Sequence, residues 1–346
     1  VSPRDDFYGY VNGVWTRNTD IPADKSVWGT YIELREIAQG QLRGLIDATV
    51  KNPGKPGSEA HKIADLYTSF MNEKARNAAG FKPLHAELAR VAAVKDKKDL
   101  PALFAYLQGN GVATPFSAYV APDAQDPERY TVNISQSGLG LPDRDYYLKE
   151  DDAKLQAVRA KYLKHIETML AMSGDKAAAE HAAQILDIET RLAAVQWTRV
   201  QMRDPVKSYN RVDFDKFAAL APAFDWKAYF AAAGLAKKES SAVVRQPSFM
   251  TGFSETVAAV PLASWKSYLN WRIIESYASY LDSATVKERF AFDGTVLRGV
   301  PQSEPQWQLA LRFTDNAISD AVGKRYVEMY LPPETKPRVM AMFDNF

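Results

Sequence analysis

The chain has 346 residues, 46% of them apolar, with 43 Lys and Arg against 42 Asp and Glu. That length carries two domains or one large domain with an insertion, and the charge balance, with no dense basic block, argues against a nucleic-acid partner. The absence of cysteine excludes disulfides, thiolate catalysis and cysteine-based zinc sites, and no apolar run approaches the ~18 residues of a membrane span.

Helical signals dominate in chain order. Tyr31, Leu34, Ala38, Leu42 and Leu45 recur at spacings of three and four, which predicts one buried face of an amphipathic helix. Asn52-Pro53-Gly54 and Lys55-Pro56-Gly57 stop it. Ser58 can cap a second helix with Ile63, Leu66, Tyr67 and Phe70 inward. Asp99, Pro101 and the apolar run to Leu107 predict a third. Phe116, Ala118 and Val120 then alternate, as do Tyr130, Val132 and Ile134, with Pro122-Asp123 and Asp126-Pro127 between them: a β-hairpin with a polar loop. Beyond it the spacing predicts helices over 147–172 and 176–201, and near 213–220, 225–233, 248–258, 261–281, 304–321 and 335–346. The expected fold is mainly α with a small β element.

The stretch "SGLGLPDRDYY", 137–147, tests a nucleotide reading. A phosphate loop needs Gly-x-x-x-x-Gly-Lys-Ser/Thr; here Gly138 and Gly140 are followed by Leu141 and Pro142, and proline removes a backbone donor. A junction from hairpin to helix fits better, with Asp143 or Asp145 as cap. None of His61, His85, His165 and His181 belongs to a His-Glu-x-x-His pattern, and no Gly-x-Ser-x-Gly elbow occurs. The pairs Asp143/Asp145 and Asp213/Asp215 flank helix starts and read as caps rather than acid–base pairs. Trp265, Tyr268, Trp271, Tyr277 and Tyr280 go most of the way round one helix, which suits a buried helix better than a base- or sugar-stacking surface. No complete catalytic constellation is present.

"SGLGLPDRDYY" does not stand alone. "DDFYGYVNGVW" (5–15), "IPADKSVWGTYIELRE" (21–36), "WTRVQMRDPVKSYN" (197–210), "WKSYLNWRII" (265–274), "FDGTVLRGV" (292–300) and "AVGKRYVEMYLPPETK" (321–336) accompany it. In this order the set resembles the neprilysin / endothelin-converting-enzyme family of zinc metallopeptidases, whose bacterial members include PepO-type endopeptidases. The resemblance implies a large helical cap domain with a small β-hairpin, plus segments that pack on a zincin-like catalytic domain absent from this chain. The expected divisions are 1–40 as an N-terminal segment packing on the catalytic domain, 41–295 as the helical cap, and 296–346 as a segment returning toward the catalytic domain.

The same resemblance implies a metalloendopeptidase cleaving oligopeptides, with zinc as cofactor. Its ligands and catalytic glutamate are expected C-terminal to residue 346, so this chain alone is expected to hold no catalytic or metal residue and to be inactive. Two substrate-binding positions carry over. Tyr31 would line the pocket for the residue beyond the scissile bond, and Arg35 would sit near the substrate's C-terminal end. The plainer alternatives are the core face of its helix for Tyr31, and pairing with Glu33 or Glu36 for Arg35. Mammalian relatives carry an arginine two residues before the glycine of this segment, where this chain has Val27, and relatives outside bacteria use disulfides, which this chain lacks. The implied partners are peptide substrates and the chain's own C-terminal catalytic half, covalent or as a nicked second chain. With the start at Val1, the family points to an exported bacterial protein, periplasmic or extracellular. The alternative function is a non-catalytic helical binding or scaffold protein derived from this family; a carboxylate-based hydrolase ranks behind both.

Overall fold

Caps and apolar stripes set the helices. In the computed structural model, which describes residues 1–236 and 239–345, Ser58 Oγ accepts from the His61 amide at 3.3 Å, and the helix Glu59–Met71 buries Ile63, Tyr67 and Phe70. Asp96 and Asp99 form a reciprocal capping box ahead of the helix Leu100–Gly109, which buries Leu100, Leu103, Phe104 and Leu107.

Hairpin strands β1 (Phe116–Pro122) and β2 (Tyr130–Gln136) pair antiparallel from Phe116↔Gln136 to Pro122↔Tyr130. Two further strands join them, β3 (Asn210–Asp213) and β4 (Ser241–Val244), in the order β1-β2-β4-β3. β4 runs parallel to β2 and antiparallel to β3. Neither strand was expected: each has four residues, and β4 is buried throughout, so it shows no alternation. Asp213 accordingly ends a strand, and the expected helix near it shrinks to a 3₁₀ turn and the four residues Phe217–Leu220.

Other departures have local causes. The helix expected over 147–172 begins at Ala153, because the Asp152 carboxylate accepts from the amides of Lys154 and Leu155; Asp145–Leu148 is a separate turn. The helix expected over 176–201 stops at Val195, and a Thr198 capping box starts a new turn, Arg199–Met202. A helix absent from the sequence reading, Phe7–Asn18, is capped by Asp6 and buries no residue.

The chain divides into a central unit, Ala79–Phe292, and a terminal unit made of Val1–Ala78 with Asp293–Phe346. The sheet lies in the central unit, on an aromatic core in which Phe116 sits 5.0 Å from Trp226, 5.1 Å from Tyr229 and 5.5 Å from Phe253. The terminal unit has its own core of Leu45, Ile46, Ile63, Tyr67, Phe70, Leu311 and Val322. No helix among the described residues is long and apolar enough to cross a membrane.

Candidate functional site

Tyr31 and Arg35 lie one turn apart on the helix Thr30–Lys51 of the terminal unit. The start of that helix is held by charge. Lys25 Nζ lies 3.0 Å from Asp24, 3.1 Å from Glu36 and 3.3 Å from Glu304, and Glu304 also meets Arg312 at 2.8 Å. Gln308 donates to Glu36 at 3.0 Å, and the Gln302 amide donates to the Ala23 carbonyl at 3.2 Å. Burial opposes the charge on Lys25, but hydrogen bonds to Asp24 and Glu36 and the charge of Glu304 raise its pKa above the ordinary value.

The core-face reading of Tyr31 fails. Tyr31 is 89% exposed, and Leu34 and Ile37 on the same helix are 56% and 60% exposed; the expected apolar stripe becomes buried only at Leu45. Arg35 is exposed too, and no hydrogen bond or ion pair of its side chain occurs among the described residues. Glu36 is taken by Lys25 and Gln308. The free guanidinium offers a planar fork suited to a carboxylate. The rest of the terminal unit is also rich in uncovered apolar side chains: Phe7, Tyr8, Tyr10, Val14 and Trp15 on one helix, and Met340, Met342 and Phe343 on the helix Thr335–Phe343, which buries nothing.

The stretch 137–147 builds a closed junction in the central unit. Tyr268 Oη donates to the Gly138 carbonyl at 2.8 Å. Tyr147 Oη accepts from the Gly140 and Leu141 amides at 3.1 and 2.9 Å and donates to Glu189 at 2.6 Å. Tyr162 Oη accepts from Trp271 Nε1 at 3.1 Å and donates to the other Glu189 oxygen at 3.1 Å. Arg272 lies 3.9 Å from Glu189 and 2.6 Å from Glu275. Both glycines are required. Gly138 has φ +89°, and a Cβ there would meet Pro115 Cα at 2.6 Å; a Cβ on Gly140 would sit 1.8 Å from Tyr162 Oη.

Burial pushes the Glu189 carboxyl up to about 7 against the pull of Arg272 and the two tyrosines. Burial and the Glu189 charge raise Tyr147 and Tyr162 well above the ordinary tyrosine value. Tyr147, Tyr162, Glu189 and Arg272 are buried, Glu275 only partly, and their bonds to one another and to the glycine loop bind the fold together. This network escaped the sequence reading, although one signal was there: Glu189 falls four residues after Ile185 and three before Leu192, on the apolar face of its helix. Asp143 makes a local turn, accepting from the Asp145 amide at 2.8 Å and pairing with Arg199 at 3.0 Å; Asp145 pairs with Lys149 at 3.0 Å. Trp265, Tyr268 and Trp271 are buried, while Tyr280 is exposed.

Two of the four histidines are held by carboxylates at hydrogen-bond distance. His165 Nδ1 meets Glu288 at 2.9 Å, with its ring stacked on Phe292, and His181 Nδ1 meets Asp175 at 2.6 Å. Among the described residues no group of three His, Cys, Asp or Glu could hold a metal ion. A zinc site needs at least three such ligands, so the donor sets present do not fit zinc.

Comparisons with known proteins agree on the relationship. The chain is 27% identical to endothelin-converting enzyme 1 of Rattus norvegicus over 97% of its own length and 45% of that protein's. Zinc metalloprotease Zmp1 of Mycobacterium tuberculosis, solved with an inhibitor, superposes with a TM-score of 0.92 at 36% identity, over 100% of this chain and 52% of that one. PepO of Lactobacillus rhamnosis shares the fold at 20% identity, with a TM-score of 0.80 over 99% of this chain and 54% of that one. The chain thus spans about half the length of the relatives it matches. A family model described as Peptidase family M13 matches residues 3–346, and the chain belongs to that family, corresponding to its N-terminal portion.

Proposed function

We propose that this chain is the N-terminal, substrate-enclosing part of a zinc-dependent metalloendopeptidase that hydrolyses oligopeptides outside the bacterial cytoplasm. Residues 1–40 and 296–346 pack on the catalytic domain, and 41–295 form the helical cap. The zinc is held by residues C-terminal to 346, and when bound it polarises the scissile carbonyl. The residues of this chain bind and orient the peptide. Tyr31 presents its ring to the side chain just beyond the scissile bond, and Arg35 offers two N–H donors to a carboxylate near the peptide's end. With Val27 where mammalian relatives carry arginine, carboxylate capture rests on Arg35.

The observation that carries this reading is the exposed aromatic and aliphatic surface of the terminal unit around an unpaired Arg35. Such surface on a soluble protein marks a place that another surface covers. The test compares this chain with a longer protein that includes the coding sequence following residue 346. The longer protein is expected to bind one zinc and to cleave a quenched fluorogenic oligopeptide, and this chain to do neither. Stoichiometric zinc on this chain alone, or a longer protein with neither property, overturns the proposal.

A further inference from the structure

The two edges of the sheet differ. β3 carries Arg211 and Asp213, and charged side chains blunt a strand edge. β1 carries none: from Ala113 to Pro122 the sequence is ATPFSAYVAP. Its register with β2 is regular over seven pairs and has no bulge. It is also open, with Tyr119 44% and Val120 57% exposed.

The pairing parity identifies the free groups. The Ser137 amide donates to the Pro115 carbonyl at 2.9 Å, which makes Phe116↔Gln136 a pair whose own backbone groups point away from each other. Phe116, Ala118, Val120 and Pro122 therefore turn their backbone polar groups outward. The Phe116 carbonyl already accepts from Gln108 Nε2 and Thr114 Oγ1, both at 2.8 Å. Pro122 has no N–H. What remains, beside the Phe116 N–H, is a ladder of the N–H and C=O groups of Ala118 and Val120, with no partner among the described residues.

We propose that this edge docks a short, extended, uncharged segment of a peptide, adding it to the sheet as a strand outside β1. The proposal rests on the peptidase reading, which supplies extended peptides as the ligand class. Main-chain pairing with Ala118 and Val120 gives the affinity. Tyr119 and Val120 project on opposite faces of the sheet and flank the incoming strand with apolar surface, which disfavours charged residues there. A second copy of the chain is a poorer occupant, because a ladder of two residues falls far short of the roughly 800 Å² per partner that a stable interface buries.

The test uses this chain and a fluorescein-labelled octapeptide, Gly-Ser-Thr-Val-Thr-Val-Ser-Gly, followed by anisotropy. Saturable binding is expected, weakened about tenfold by Val120→Pro, which deletes an outward N–H and leaves the β1–β2 ladder intact. Val120→Thr retains the donor and is expected to retain binding. N-methylation of the peptide's central residues is expected to weaken binding to the unaltered chain as well, so the test holds even where Val120→Pro fails to fold. The proposal is overturned by no saturation up to about 1 mM chain, by binding indifferent to N-methylation, or by a dimer in sedimentation that Val120→Pro dissolves while the peptide stays free. Binding needs neither zinc nor hydrolysis, so its failure leaves the metallopeptidase reading standing, and failure of the zinc test leaves this edge untouched.

Discussion

Gly140 has no room for a methyl group, because Tyr162 Oη occupies the place a Cβ would take. That hydroxyl is fixed by Trp271 on one side and Glu189 on the other, so it cannot yield cheaply. Gly140→Ala is expected to cost about 1–3 kcal/mol, read as a lowered urea midpoint with unchanged slope. Tyr31 and Arg35 should behave in the opposite way. Both are exposed, so Tyr31→Ala and Arg35→Ala are expected to change the stability of this chain by less than about 0.5 kcal/mol. In the longer protein, Arg35→Ala is expected to raise KM for peptides ending in a free carboxylate about tenfold or more, with a smaller effect on amidated peptides. Equal losses on both peptides would remove Arg35 from carboxylate recognition.

At the scale of elements, two charged clusters fasten segments distant in sequence, and each has a measurable signature. Lys25 joins a loop, the helix Thr30–Lys51 and the stretch before Gln306–Ala317. Lys25→Met leaves three carboxylates facing one another and is expected to destabilise the terminal unit by about 1–3 kcal/mol, less at high salt. Glu189 acts through pH. Its folded-state pKa of about 7 lies above the 4.5 of a free glutamate. The stabilisation linked to its proton is therefore complete below about pH 4.5 and lost as pH rises through about 7. Denaturant melts should show the central unit losing on the order of 3 kcal/mol across that window. Glu189→Gln should flatten the slope, and an unaltered slope would assign the pH dependence to other groups. The sequence disclosed the caps and stripes behind most helices because those signals are local. It hid β4 because a buried four-residue strand has no alternation to read and takes its identity from β2, far away in the chain, and it hid β3 because four partly exposed residues become a strand only by pairing with β4. The Tyr31 stripe misled for the complementary reason: periodicity marks a face that wants cover and says nothing about whether the cover belongs to the same chain.

For the whole molecule, the asymmetry of burial matters most. The central unit encloses most of its large aromatics, with Tyr119, Tyr130 and Tyr280 exposed, whereas the terminal unit leaves Phe7, Trp15, Tyr31, Met342 and Phe343 open. This chain alone is expected to bind the dye ANS and to self-associate with rising concentration, and the longer protein to lose most of the dye signal. Equal dye binding by both would count against the proposed packing of a catalytic half on this surface. The placement of β4 has a consequence for biosynthesis. β4 lies between β2 and β3 and is the last strand in the sequence, separated from β2 by the stretch from Gln136 to Ser241. At translation speeds of roughly 5–20 residues per second, the hairpin waits on the order of 5–20 s beside the ribosome before its inner neighbour exists. The terminal unit waits longer, since Val1–Ala78 closes only against Asp293–Phe346. Each half-made sheet or helix layer is thus a sticky, long-lived species during synthesis, and slowing elongation between β2 and β4 lengthens the interval in which a nascent chain can pair with the wrong neighbour.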